Sequence, residues 1–120
     1  MLKAIIVDDE PYCCESLITL LEDHSEVEIV AVSHNGLDAL PAIKKYSPDL
    51  VFLDVEMPWM NGFEMLEQLP QVNFEIIFTT SYDQYALRAI RFSAIDYLLK
   101  PVDSEELQRA IQKVVQRSQK

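Results

Sequence analysis

The chain has 120 residues, 49% of them hydrophobic and 25% charged, and ten Lys and Arg stand against twenty Asp and Glu for a formal net charge of −10. A length of this order suits one domain whose core needs neither metal nor disulfide, and the apolar content excludes an intrinsically disordered chain. So acidic a surface repels phosphate backbones and anionic lipid, which argues against nucleic-acid or membrane binding by this segment alone.

The first apolar run, residues 4–7, meets Asp8-Asp9 at once. It is too short for a signal peptide, and no run approaches the roughly 18–20 residues of a membrane span, so a cytoplasmic protein is expected. Pro11 suits the first turn of a helix whose apolar stripe is Cys14, Leu17, Ile18 and Leu21. Cys13 and Cys14 are neighbours inside it; a bridge between them would be strained, so reduced thiols are expected. The second run, 27–32, leads to Ser33-His34, a strand end that suggests nothing specific. Leu37, Leu40 and Ile43 mark a second helix with Pro41 inside it, and the missing N–H predicts a late start or a kink.

The third run, 50–53, ends at Asp54, and Phe63, Leu66 and Leu69 mark a third helix stopped by Pro70. The fourth run, 76–78, ends in Thr79-Thr80-Ser81 and precedes a helix marked by Tyr85, Ala89 and Ile90. The fifth, 95–99, ends in Lys100-Pro101. A last helix follows, with Leu107, Ala110, Ile111 and Val114 on its apolar face, a cap at Asp103 or Ser104 and an end near Val115. Residues 116–120 then read as the start of a linker.

Most of these runs are nearly continuous rather than alternating, as parallel strands buried on both faces require. Strand followed by helix, five times over, predicts a doubly wound α/β fold with a five-stranded parallel sheet and five helices. Sites on such sheets form beyond the carboxyl ends of the strands, and there stand Asp8, Asp9, Asp54, Thr80 and Lys100. Each has an ordinary reading alone: a helix start, a loop residue, a cap, a solvated lysine. Their coincidence at one edge is what chance explains poorly. With the first and third strands adjacent, three carboxylates converge and raise one another's pKa values. A hard divalent cation relieves this, and all-oxygen ligation favours Mg²⁺. A carboxylate beside that ion can form an acyl phosphate, with an ammonium and a hydroxyl holding the phosphoryl oxygens.

Asp8-Asp9, Asp54-Val55-Glu56-Met57-Pro58-Trp59-Met60-Asn61-Gly62, Thr80 and Tyr97-Leu98-Leu99-Lys100-Pro101 together resemble a response-regulator receiver domain of two-component signalling, across the whole of residues 1–120. The resemblance implies a flavodoxin-like sheet of strand order 2-1-3-4-5 and a sensor histidine kinase as phosphoryl donor. It makes Asp54 the phosphoacceptor. Asp9, Asp54 and the backbone carbonyl of Glu56 become direct Mg²⁺ ligands, with Asp8 acting through a water. Thr80 and Lys100 become the phosphoryl contacts, Thr80 and Tyr97 the switch, and the Lys100–Pro101 bond is expected to be cis. The implied chemistry is the domain's own phosphorylation and dephosphorylation, not enzymatic turnover. Homodimerisation through the fourth helix, fifth strand and fifth helix is implied as well.

The stretch from Tyr82-Asp83-Gln84-Tyr85-Ala86 to Asp96-Tyr97-Leu98-Leu99-Lys100-Pro101 further resembles receivers attached to LytTR-type DNA-binding domains. The output would then be transcription, through a domain beyond residue 120. Ser93 stands where many receivers carry glycine, and Glu56 stands where the side chain can influence phosphoryl lifetime. Met57, Trp59 and Phe63 read as packing or partner surface. Three rivals compete. One is a stand-alone receiver acting by protein–protein contact. Another is a haloacid-dehalogenase-like phosphatase, which needs D-x-D where this chain has Asp8-Asp9-Glu10. The third is a flavin module, whose phosphate loop is poorly served by a chain with only Gly36 and Gly62.

Overall fold

Continuous apolar runs become buried strands, and the amphipathic segments between them become helices that cover both faces. The computed structural model describes residues 1–119 as β1 (Leu2–Val7), α1 (Pro11–Leu21), β2 (Val27–Ser33), α2 (Gly36–Tyr46), β3 (Leu50–Leu53), α3 (Gly62–Glu67), β4 (Glu75–Thr80), α4 (Ala86–Arg91), β5 (Asp96–Leu99) and α5 (Ser104–Ser118). The sheet is parallel throughout, in the order β2-β1-β3-β4-β5. One core joins α1 and α5 to the sheet through Cys14, Leu17, Leu21, Leu107, Ala110, Ile111 and Val114. The other lies beneath α2, α3 and α4 and includes Ala39, Ile43, Phe63, Leu66 and Ala89. Phe63 is core, with Phe78 at 5.1 Å and Phe92 at 5.3 Å between ring centroids.

Register sets the functional edge. Val7 pairs with Leu53, so the residues that follow, Asp8 and Asp54, leave the sheet side by side. Phe78 pairs with Tyr97 and Thr80 with Leu99, which brings Lys100 beside the end of β4. Local chemistry fixes where the helices begin. Asn35 accepts from the Asp38 amide, Asn61 and Glu64 form a reciprocal capping box, and Asp103 accepts from the Glu105 and Glu106 amides.

Several expectations need correction. The Asn35 cap starts α2 at Gly36 despite Pro41, so the helix does not begin late. Its buried residues are Gly36, Ala39 and Ile43, while Leu37 is exposed. α3 spans only six residues, so Leu69 packs from beyond its end. α4 buries Ala89 alone, and Leu87 and Ile90 are 80% and 69% exposed. Tyr85 is its N-cap rather than part of its stripe. α5 continues past Val115 to Ser118, because Gln116 and Arg117 are good helix formers and Arg117 pairs with Glu75 at 3.0 Å. Residues 116–118 therefore belong to α5, and Lys120 lies outside the described residues. Ser93 has φ 59°, a left-handed conformation that glycine adopts freely. Both cysteines are free, and no helix among the described residues is long and apolar enough to cross a membrane.

Candidate functional site

The site begins with the ends of the two central strands. β1 delivers Asp8 and Asp9, and β3 delivers Asp54, whose amide donates to the Val7 carbonyl at 2.9 Å. Asp8 and Asp54 are buried and Asp9 is half-buried. A carboxylate oxygen from each lies within 4.8 Å of the others. Gly62 permits the close return of the loop after β3: a Cβ there would sit 2.5 Å from the Asp54 carbonyl oxygen. Its amide donates instead to the Val55 carbonyl at 2.8 Å, seating α3 directly under the acidic loop.

Lys100 enters from β5, and its backbone amide donates to the Thr80 carbonyl at 2.8 Å. The bond that follows, Lys100–Pro101, is cis. Its ammonium lies 2.7 Å from Asp8 Oδ2 and 3.4 Å from Asp54 Oδ2, bridging the two buried carboxylates. Burial pushes Asp54 up to about 7; the charge of Asp8 adds to this and Lys100 opposes it. Burial alone would depress Lys100, but its hydrogen bond to Asp8 and the charges of Asp54 and Asp8 hold it above its ordinary value. The donor set around the crevice is all oxygen and carries more negative charge than one ammonium offsets. It fits a hard divalent cation, with Asp8, Asp9 and Asp54 as the residues available to hold it.

The other residues expected from the sequence stand around this centre. Thr80 is fully buried, and its hydroxyl accepts from the Tyr82 amide at 3.3 Å. Tyr97 is half-buried, its ring 6.2 Å from Phe78 and its hydroxyl donating to the Tyr82 carbonyl. Burial raises the Tyr97 hydroxyl above its ordinary pKa. Glu56 is exposed, and its carboxylate accepts from the Tyr85 hydroxyl at 2.9 Å. A groove of about 530 Å³ runs from Asp9 past Glu56 and Trp59 to Tyr85, and Trp59 on its rim is 83% exposed.

Two contacts were not legible beforehand. His34 Nδ1 lies 3.1 Å from the Asp8 carbonyl oxygen, and Cys14 Sγ lies 3.5 Å from the same atom. Burial and the charge of Asp8 push the Cys14 thiol up to about 11, so it stays protonated and donates. The pairing of Val7 with Ser33 sets His34 beside Asp8, and no local pattern in the sequence announces it.

Comparison with known proteins agrees with this geometry. The family model of the response regulator receiver domain matches residues 4–112. A response regulatory protein of Vibrio cholerae is 41% identical over 121 residues, covering 100% of this chain and 51% of that protein. The transcriptional regulatory protein BtsR of Escherichia coli K12 is 40% identical over 121 residues, again 100% of this chain and 51% of the relative. The chain thus spans about half the length of the curated relatives it matches. Among solved structures, the response regulatory domain of mrkE from Klebsiella pneumoniae superposes with a TM-score of 0.90 at 30% identity, covering 99% of this chain and 100% of that one. A LuxR-family DNA-binding response regulator from Staphylococcus aureus gives 0.84 at 34% identity, with 95% and 98% covered. Strand order, the acidic crevice at the carboxyl edge and these matches agree, and the chain belongs to the receiver domains of two-component response regulators.

Proposed function

We propose that Asp54 accepts a phosphoryl group from a sensor histidine kinase in a Mg²⁺-dependent reaction. The observation that carries this reading is the Lys100 ammonium bridging buried Asp8 and Asp54 at the strand edge, with Asp9 within reach of both. Asp9, Asp54 and the Glu56 backbone carbonyl are the residues to hold Mg²⁺ directly, and Asp8 through a water. Bound there, the ion would supply charge neutralisation for the incoming phosphoryl group. An Asp54 carboxylate oxygen attacks phosphorus and the phosphohistidine nitrogen leaves, so one P–O bond forms as one P–N bond breaks. Lys100 exchanges its Asp54 contact for a phosphoryl oxygen, and the Thr80 hydroxyl donates to another. The only chemistry is the domain's own phosphorylation and dephosphorylation.

Turning Thr80 toward the phosphoryl group ends its contact with the Tyr82 amide. Tyr97 holds the carbonyl of that same Tyr82, so the two residues share one loop. That shared contact supports Thr80 and Tyr97 as a switch between two packings. With a small acyl phosphate and Mg²⁺, intact-mass measurement should show one phosphoryl adduct, absent in Asp54→Asn. An adduct of equal yield in that variant would overturn the assignment.

The output in this reading is transcription, in the cytoplasm, through a LytTR-type DNA-binding domain beyond residue 120. The stretches 82–86 and 96–101 support the LytTR-type domain, and the transcriptional regulatory role in the name of BtsR is consistent with a transcriptional output. The net charge of −10 supports a division of labour in which DNA contact belongs to that other domain. Exposed Leu87, Ile90 and Leu99 on α4 and β5 support homodimerisation across the α4–β5–α5 face. A beryllofluoride phosphoryl mimic should double the mass seen by light scattering. A mass that stays monomeric at high concentration would remove dimerisation from the reading.

A further inference from the structure

We propose that His34 is a positioning residue for the acidic turn, its Nδ1–H fixing the Asp8 carbonyl and through it the direction of the Asp9 carboxylate. This inference rests on the Mg²⁺ reading above. A carbonyl oxygen can only accept, so a contact of 3.1 Å between His34 Nδ1 and Asp8 O places the proton on Nδ1. The Asp8 carbonyl and the Asp9 amide belong to one rigid peptide plane. Fixing that oxygen therefore fixes the plane from which Asp9 departs.

Two other restraints on the turn act elsewhere. The Asp8 amide donates to Ser33 O at 3.0 Å, which ties the preceding peptide to β2. The Asp8 side chain accepts from the Glu10 amide at 3.0 Å, which closes the turn on itself. Cys14 Sγ, at 3.5 Å, is a weaker donor to the same carbonyl. His34 thus supplies the strong hydrogen bond that holds the Asp8–Asp9 peptide from outside the turn. The residue is itself exposed, so its replacement leaves the hydrophobic core untouched.

Side-chain geometry provides a discriminating test. An asparagine amide nitrogen lies at the same branch position as histidine Nδ1, whereas a glutamine amide lies one bond farther out. Mg²⁺ titration of the full chain, read by Trp59 fluorescence, should show the dissociation constant of His34→Ala and His34→Gln raised about tenfold, as for other residues that orient metal ligands. His34→Asn should stay near the parent. In chelator, hydrogen exchange at the Glu10 amide should accelerate in the Ala and Gln variants but not in Asn. Unchanged Mg²⁺ affinity and exchange in Ala and Gln would overturn the inference, and so would equal losses in Asn and Gln. Should the Ala variant fail to fold, the contrast between Asn and Gln decides alone. Should Asp9→Ala also keep full Mg²⁺ affinity, the metal reading falls, and exchange in the metal-free protein still decides the role of His34.

Discussion

Asp54→Asn should stabilise the metal-free chain at pH 8, with the advantage falling to about a third at pH 5 and vanishing below about pH 4. An aspartate in the unfolded chain titrates near 3.9, whereas burial and Asp8 hold the folded Asp54 at about 7. Between these values the folded state keeps a proton that the unfolded state has lost. Linkage then requires stability to fall as pH rises through that window, fully lost above the folded value and intact below the unfolded one. The gap between about 3.9 and about 7 bounds the effect at roughly 4 kcal/mol. Asparagine keeps the shape and drops the charge, so it escapes the penalty. Urea denaturation in chelator at pH 5 and pH 8 measures this directly. An advantage independent of pH, or a loss at pH 8, would contradict a raised Asp54. Saturating Mg²⁺ should narrow the gap by stabilising the parent, since ligand that binds only the folded state adds to its stability.

Opposite responses to Mg²⁺ are expected from Asp9→Ala and Lys100→Met. Removing Asp9 deletes a carboxylate from the cluster that shares oxygens within 4.8 Å, and affinity should fall by about tenfold or more. Removing the Lys100 ammonium should instead tighten Mg²⁺ binding, because Nζ lies 2.7 Å and 3.4 Å from the carboxylates that a metal would draw upon. Without metal, Lys100→Met should lose about 3 kcal/mol, since breaking a buried ion pair leaves its partners uncompensated. Mg²⁺ should restore much of that loss. Trp59 fluorescence on the rim of the groove reports affinity, and denaturation with and without chelator reports stability. Equal weakening of Mg²⁺ binding in both variants would contradict these separate roles.

Legibility differed from element to element for physical reasons. A parallel strand buried on both faces must be apolar throughout, so 4–7, 50–53 and 76–78 stood out, and the chemistry-bearing residues followed as soon as each run stopped. α5 was plain because its face of Leu107, Ala110, Ile111 and Val114 keeps helical spacing against one core. α4 was misread because a helix of six residues can expose Leu87 and Ile90 without losing its place, held through Ala89. α2 starts earlier than Pro41 suggested, because the Asn35 cap fixes its first turn and burial of Gly36, Ala39 and Ile43 holds the helix through the proline.

By itself the sequence determined the strand-and-helix order, the family likeness and which residues would stand at the carboxyl edge, since these depend on local pattern and on short motifs. Only the tertiary structure decided how those residues interact. It made Asp8 the nearer partner of Lys100, buried Asp54 deeply enough to lift its carboxyl to about 7, and joined Tyr85 to Glu56 across the groove. It also brought His34, twenty-six residues away along the chain, onto the carbonyl of Asp8. Burial and long-range register arise when separate segments pack against one another, and no single segment carries them in its own residues.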